Sequence, residues 1–233
     1  MRRTGEGMPG GEDLRAIEVG ERLWAIAQSV PEAGYSETAL SRGLQNLDWV
    51  GPRAIAHERV IESFLSARAL LPMPLFTLFT SDDRALQHVQ SDGTRIRRLL
   101  KRVEGKVEWG LRLTFDEKAA RAKVSRRPVA SGTEFLARKR DMLSIDRTRL
   151  KEAQTAADRV YKSVSRLAIA AQRRTSLERA APGSRLLLDA AFLVSAGKSG
   201  AFRSAVRQQT RDVRAAGIGV SLTGPWPPYN FIE

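Results

Sequence analysis

The 233-residue chain contains no cysteine. Disulfides, zinc–thiolate centres and cysteine nucleophiles are therefore excluded, and thiol usage says nothing about compartment. Histidine occurs only at His57 and His88, too few for a His-rich metal centre. Aromatic residues are 6% of the chain, so any local cluster of them stands out. No uncharged apolar run reaches the roughly 18 residues a membrane-spanning helix needs; the longest, 70–79 and 186–196, carry breakers or a charge. Residues 1–11 are polar and Gly-rich, with Arg2 and Arg3 but no apolar stretch, so no secretory signal is read there and a cytoplasmic protein is expected. Acids are outnumbered: 26 Asp and Glu against 39 Lys and Arg give a net charge of +13. Such a surface favours anionic partners. With 42% apolar and 28% charged residues, the chain is globular in composition and long enough to bury a substantial core.

The pattern along the chain predicts α+β structure. Residues 14–19 and 22–28 alternate partially around Gly20-Glu21 and read as a hairpin. Residues 36–47 carry Ala39, Leu40, Leu44 and Leu47 at helical spacing behind a Ser36 N-cap. Pro52 then suits the first turn of a long helix with Ile55, Ala56, Val60, Phe64, Leu65 and Ala67 on its apolar stripe. In 70–79, Pro72 and Pro74 fit a strand entrance, with 75–79 as a buried strand. A helix capped by Ser81 is expected to run through Arg102 and stop at Gly105, and 107–115 alternates as a strand. Basic residues 118–127 with Pro128 and Gly132 mark a boundary. Helix is expected from 133 almost to Arg174, with an interruption near Ser144. Its apolar face is Ala153, Ala157, Val160, Tyr161, Val164, Leu167, Ala168 and Ala171. A strand over 185–194, a helix over 199–216 with Phe202, Val206 and Val213 inward, and a strand over 217–222 follow. The expected divisions are a flexible terminus 1–11, an α+β domain 12–116, a linker 117–132, a second α+β domain 133–223 and a tail 224–233.

Catalytic chemistry has little to stand on. Gly197-Lys198-Ser199-Gly200 lacks the upstream glycine of a phosphate loop, and no dinucleotide fingerprint occurs. His57 and Glu58 are adjacent, so on a helix they point about 100° apart. Asp82-Asp83 and Asp116-Glu117 suit helix starts, where negative charge meets the dipole. No catalytic residue, cofactor or metal ligand is assigned, and no enzyme is expected. The basic runs 95–102, 121–127 and 138–140 could meet phosphates. No helix-turn-helix, stacking motif or zinc finger accompanies them, so nucleic acid is not the expected partner; a basic nucleic-acid-binding or scaffold role is the alternative.

The C-terminus is denser in information. Gly224-Pro225-Trp226-Pro227-Pro228-Tyr229-Asn230-Phe231 packs prolines and aromatics together. Prolines lower the entropy lost on ordering, and the rings offer apolar area. The segment reads either as a staple on the chain's own body or as a docking element.

This octapeptide resembles the C-terminal signature of the gas vesicle GvpL/GvpF family. Other landmarks agree in order: His57, Leu71-Pro72-Met73 before Phe76-Thr77-Leu78-Phe79, Glu108-Trp109-Gly110, Ser131-Gly132 with Phe135-Leu136 and Arg138-Lys139-Arg140, Phe192-Leu193-Val194, and Gly217. The resemblance implies two ferredoxin-like α/β sandwich domains joined by a long helical segment, in a cytoplasmic, vesicle-associated accessory protein of gas vesicle organisation. It implies partners too: the small hydrophobic shell subunit, kept from aggregating or nucleated into the shell, and other accessory proteins, with no membrane partner. Candidate interface residues are Pro72, Met73, Phe76, Phe79, Trp109, Gly224, Pro225, Trp226, Pro227, Pro228, Tyr229 and Phe231. Members usually begin with an apolar strand, whereas residues 1–11 match only the Gly-rich stretch after it. A misplaced start codon, or an N-terminal sheet lacking one strand and left with an unpaired edge, is the corresponding expectation.

Overall fold

The computed structural model describes residues 7–116, 132–175 and 183–232, with backbone alone over 132–146. The chain divides into two compact units, Met1–Glu104 with Pro227–Ile232, and Gly105–Trp226.

Unit 1 opens with antiparallel strands β1 (Arg15–Gly20) and β2 (Leu23–Ala27). The turn falls on Glu21-Arg22, one residue later than read, and Arg22 takes a left-handed φ of 59°. Period-two alternation puts Ile17, Val19, Leu23 and Ala25 on the inner side, and Ala16, Glu18, Trp24 and Ile26 outside. Among the described residues each strand has one neighbour. Part of the terminus expected to be flexible is tied down. Met8 N donates to Gln28 Oε1 at 2.6 Å, and Tyr35 Oη donates to the Pro9 carbonyl at 3.0 Å.

Helices α1 (Glu32–Tyr35), α2 (Glu37–Gly43) and α3 (Leu47–Ser63) follow. Ser36 caps α2 as expected. The start of α3 lies five residues before Pro52, because Asn46 Oδ1 accepts from Asp48 N at 2.9 Å and satisfies an orphan amide there. The single helix expected from Ser81 is two, α4 (Asp82–Ser91) and α5 (Gly93–Val103), divided at Asp92 by a backbone that leaves helical dihedrals. Arg15 grips Asp82 through Nε at 3.0 Å and Nη2 at 2.5 Å, tying β1 to α4.

Unit 2 has the order β3 (Lys106–Asp116), α6 (Gly132–Ser165), β4 (Ala170–Arg173), β5 (Ser184–Ser195), α7 (Ser199–Gln209), α8 (Arg211–Ala215) and β6 (Ile218–Trp226). Its antiparallel sheet is ordered β4-β5-β3-β6. Strand β3 was read with the N-terminal domain, yet it is a central strand of this sheet, so unit 2 begins at Gly105. The expected linker 117–132 lies, apart from Gly132, outside the described residues. Helix α6 is continuous past Ser144.

The second half of α6 follows its predicted face: Ala153, Ala157, Val160 and Val164 pack on Leu111, Leu113, Leu188, Ala190 and Phe192, with Phe202 and Val206 of α7 and Val213 of α8 completing the core. The helix ends at Ser165, well before Arg174. Residues 170–173 instead pair with Ala190–Leu193, because an Ala-rich stretch satisfies either period and the open edge of β5 supplies the hydrogen bonds. Leu167, expected on the buried face, is exposed. The helix read over 199–216 bends at Thr210, whose buried hydroxyl bonds back to the Val206 carbonyl at 2.9 Å. The last strand reaches Trp226, four residues further than read.

Candidate interaction surface

The residues singled out in the sequence fall into two groups with opposite surroundings. The C-terminal signature is buried at Pro227, Pro228 and Phe231, half-buried at Gly224, Trp226, Tyr229 and Asn230, and exposed at Pro225. Gly224, Pro225 and Trp226 finish β6, Trp226 lying opposite Glu108 of β3. Pro227, Pro228 and Phe231 are buried, Phe231 with 3% of its surface exposed. Prolines 227 and 228 lead into a short 3₁₀ turn, Tyr229–Phe231. Tyr229 Oη donates to Glu58 Oε2 of α3 at 2.6 Å, fastening the segment to unit 1. Trp109 is a core residue: its ring packs on Phe202 with centroids 6.2 Å apart, and its Nε1 donates to Ser199 Oγ at 3.3 Å. Trp109, Pro227, Pro228 and Phe231 are thus held inside the protein's own body, while Pro225 is exposed and Trp226 half-buried.

The segment 71–80 is different, and here the structure corrects the sequence reading. No strand forms over 75–79. Pro72 and Pro74 lack the amides a ladder needs, and Thr77 turns back, its N and Oγ1 both donating to the Pro74 carbonyl at 3.2 and 2.7 Å. Phe76 adopts a left-handed φ of 63°, a conformation that costs a non-glycine residue free energy. Its ring is held in place by Trp49 of α3, 5.4 Å between centroids. On Trp49 also rests the Arg53 guanidinium, 3.8 Å from the ring centre. Pro72 is buried and Phe76 half-buried, so the loop is pinned at two points. Between and beyond the pins Met73, Leu78 and Phe79 are exposed, Phe79 by 39%, its ring 5.2 Å from His88.

Sequence reasoning missed other exposed apolar side chains of unit 1. Trp24 is 54% exposed and Ile26 is exposed beside it on the outer face of the hairpin. Leu44, Leu47 and Ile55, expected on core stripes, are exposed as well, whereas Ala56 and Ile61 are the buried residues of α3. The helix's earlier start leaves Leu47 at its first turn. Alternation did mark Trp24 and Ile26 as sharing one face of β2, but it could not say which face was outward. Of the exposed large hydrophobic side chains among the described residues, only Leu167 and Ile169 belong to unit 2; eight belong to unit 1.

Among the described residues the shifted titrations have structural causes. His57 on α3 has its pKa pushed below the ordinary imidazole value by burial, with the adjacent Glu58 carboxylate opposing that shift. Asp158 is held below the usual carboxylate value by the Arg173 guanidinium, which donates to it at 2.7 Å, with burial opposing and Gln154 assisting. Among the described residues no cluster of three or more acidic or histidine side chains could hold a metal, and no helix is long and apolar enough to cross a membrane.

Comparison with known proteins gives the family. A family model described as gas vesicle synthesis protein GvpL/GvpF matches residues 2–233. Gas vesicle protein L of Streptomyces sp. (strain CB03234) is 32% identical, the match spanning 95% of this chain and 84% of that protein. The crystal structure of gas vesicle protein GvpF from Anabaena sp. PCC7120 superposes with a TM-score of 0.67 at 15% identity, covering 98% of this chain and 91% of that one. GvpF from Microcystis aeruginosa gives 0.64 at 13%, with the same coverage. At those identities the structural likeness speaks for the fold alone, an α+β fold like that of GvpF. The match along the whole length and the curated relative establish the rest: this chain belongs to the GvpL/GvpF family of gas vesicle synthesis proteins.

Proposed function

We propose that this protein acts in gas vesicle assembly by binding the small hydrophobic shell subunit through unit 1, keeping its apolar face from aggregating until it joins the shell. The observation that carries the reading is the uneven distribution of exposed apolar side chains. Trp24 and Ile26, Leu44 and Leu47, Ile55, and the pinned loop with Met73, Leu78 and Phe79 all belong to one unit. Large exposed apolar surface is an aggregation hazard that a protein retains where a partner covers it. A strand pair with one neighbour each adds a second mode, extension of a partner's β-structure at the edge of β1 or β2. The C-terminal signature serves as the staple that holds its own chain, with Tyr229 bonded to Glu58.

In this reading the protein works in the cytoplasm at the vesicle, with other accessory proteins as further partners, and performs no catalysis. Unit 2, with its β-α-β-β-α-β order, corresponds to one ferredoxin-like half.

The test is co-expression of tagged protein with the shell subunit of the same gene cluster, washed at low and high salt. Salt-resistant capture of soluble subunit is expected from wild type and from a Leu167→Ser/Ile169→Ser control in unit 2. A Leu78→Ser/Phe79→Ser variant should lose most of it while keeping the wild-type circular dichroism. Equal capture by both variants, or release by salt alone, would sink the reading.

A further inference from the structure

We infer that the exposed face of α5 is a docking surface for a carboxylate-rich segment of another protein, distinct from the apolar surface proposed above. Helix α5 carries Arg95, Arg97, Arg98, Lys101 and Arg102 within eleven residues, and no Asp or Glu. Its opposite face is anchored: Ile96, Leu99 and Val103 are buried, so the cations are fixed outward. The spacing sets like charges at i,i+4 (97 with 101, 98 with 102) and at i,i+3 (95 with 98, 98 with 101). Such pairs weaken a helix in water. A solvated helix usually relieves them with interspersed glutamates. Here Arg95 is relieved by Asp92, just ahead of the helix, at 3.0 Å. Arg97, Arg98 and Lys101 make no hydrogen bond or ion pair among the described residues. Lys101 and Arg102 also meet the negative end of the helix dipole, a reason that does not extend to Arg97 and Arg98.

The dimensions of the patch select the partner. Eleven residues span about 16 Å. The acids around it are already paired, Asp92 with Arg95, Glu104 with Arg68 and Asp82 with Arg15, so none of these is left to neutralise Arg97, Arg98 and Lys101. These cations lie along a single helix three turns long. That footprint suits a single acidic helix or strand, whose carboxylates a guanidinium meets in bidentate fashion. Nucleic acid would call for a wider basic surface along its phosphates and for rings on which bases stack; besides its cations the exposed face offers only Thr94.

The full chain is titrated with a labelled Glu-rich peptide, and separately with a random-sequence DNA duplex, by fluorescence anisotropy at physiological ionic strength. Three exposed charge pairs together amount to about a tenfold change in affinity. Arg97→Gln/Arg98→Gln/Lys101→Gln should weaken peptide binding by about that factor. Arg203→Gln/Arg207→Gln/Arg211→Gln, an equal change of charge on exposed positions of α7 and α8, should leave it within about twofold. The α5 variant should also melt at or above the wild-type temperature, since its like-charge pairs are gone. If it fails to fold, the single Arg97→Gln variant carries the test with about a twofold loss. Equal weakening by the two triple variants would reduce the effect to net charge and overturn the inference. So would tighter binding of the duplex than of the peptide, lost with the α5 variant, or binding indifferent to α5.

Discussion

Replacing Gly224 by alanine tests how the family signature is built into the fold. Gly224 has a φ of +124°, and a Cβ placed there would lie 2.8 Å from the Glu108 carbonyl oxygen and 3.3 Å from the Trp109 ring. Ordinary contacts of such an atom begin near 3.4 Å, and the carbonyl belongs to β3, a central strand that cannot shift without disturbing its pairing with β5. Two costs add. A side chain in a sparsely populated backbone region costs of order 1–3 kcal/mol, and forcing an extra carbon into packed structure costs about another 1–3. Gly217 separates the two: it sits at φ +87° with nothing within 4 Å of its Cβ position, so its alanine variant bears the backbone cost of about 1–2 kcal/mol alone. Urea unfolding followed by far-UV circular dichroism should therefore place Gly224→Ala below Gly217→Ala by about 1–3 kcal/mol at equal m-value. A Gly224→Ala variant as stable as Gly217→Ala would refute the close approach of β6 to β3 on which the account rests.

Two other perturbations probe each unit separately. In unit 1, His57 has a lowered pKa from burial, so the unfolded chain takes up its proton first as pH falls; stability should decline below about pH 6.5, and His57→Gln should flatten that part of the melting-temperature profile, an unchanged slope counting against the burial. In unit 2, Phe192 is fully buried between Tyr161 and Phe202, with centroids 6.0 and 5.9 Å away, so Phe192→Ala should cost about 3–5 kcal/mol while Leu167→Ala, exposed, should cost no more than about 0.5; similar losses in denaturant midpoint would contradict the core assignment.

Much of unit 2 was legible in the sequence because its signals were redundant. Strand β3 alternates, β5 is a dense apolar run, and the inward residues of α7 and α8, Phe202, Val206 and Val213, lie where spacing put them. Failures came where one local signal could be satisfied in two ways. Residues 170–173 fit the helical period, but the edge of β5 offered them a ladder, a long-range fact absent from any window. The apolar run 75–79 looked like a buried strand, but the prolines before it removed donors and the Trp49–Phe76 contact, 27 positions apart, captured it as a loop. Trp49 was assigned no role at the sequence level, since nothing local marks a ring as a platform for a distant loop.

The same contrast bears on where the function lies. A motif of prolines and aromatics invites reading as a docking element, because those residue types dominate interfaces. In this chain much of the motif packs on the chain's own body. Pro227, Pro228 and Phe231 are buried, and Tyr229 is bonded to α3. Several landmarks of the octapeptide are thereby accounted for by the fold: Gly224 by its approach to Glu108, and Pro227, Pro228 and Phe231 by their burial. The function proposed above places recognition on side chains the fold does not consume. Among the described residues those include the exposed apolar groups of unit 1, scattered along the sequence, and the cations of α5, which form the basic run 95–102. Family membership is carried by a match along residues 2–233, and the contact surface proposed above draws both on the landmark 76–79 and on residues such as Trp24 and Leu47 that belong to no motif.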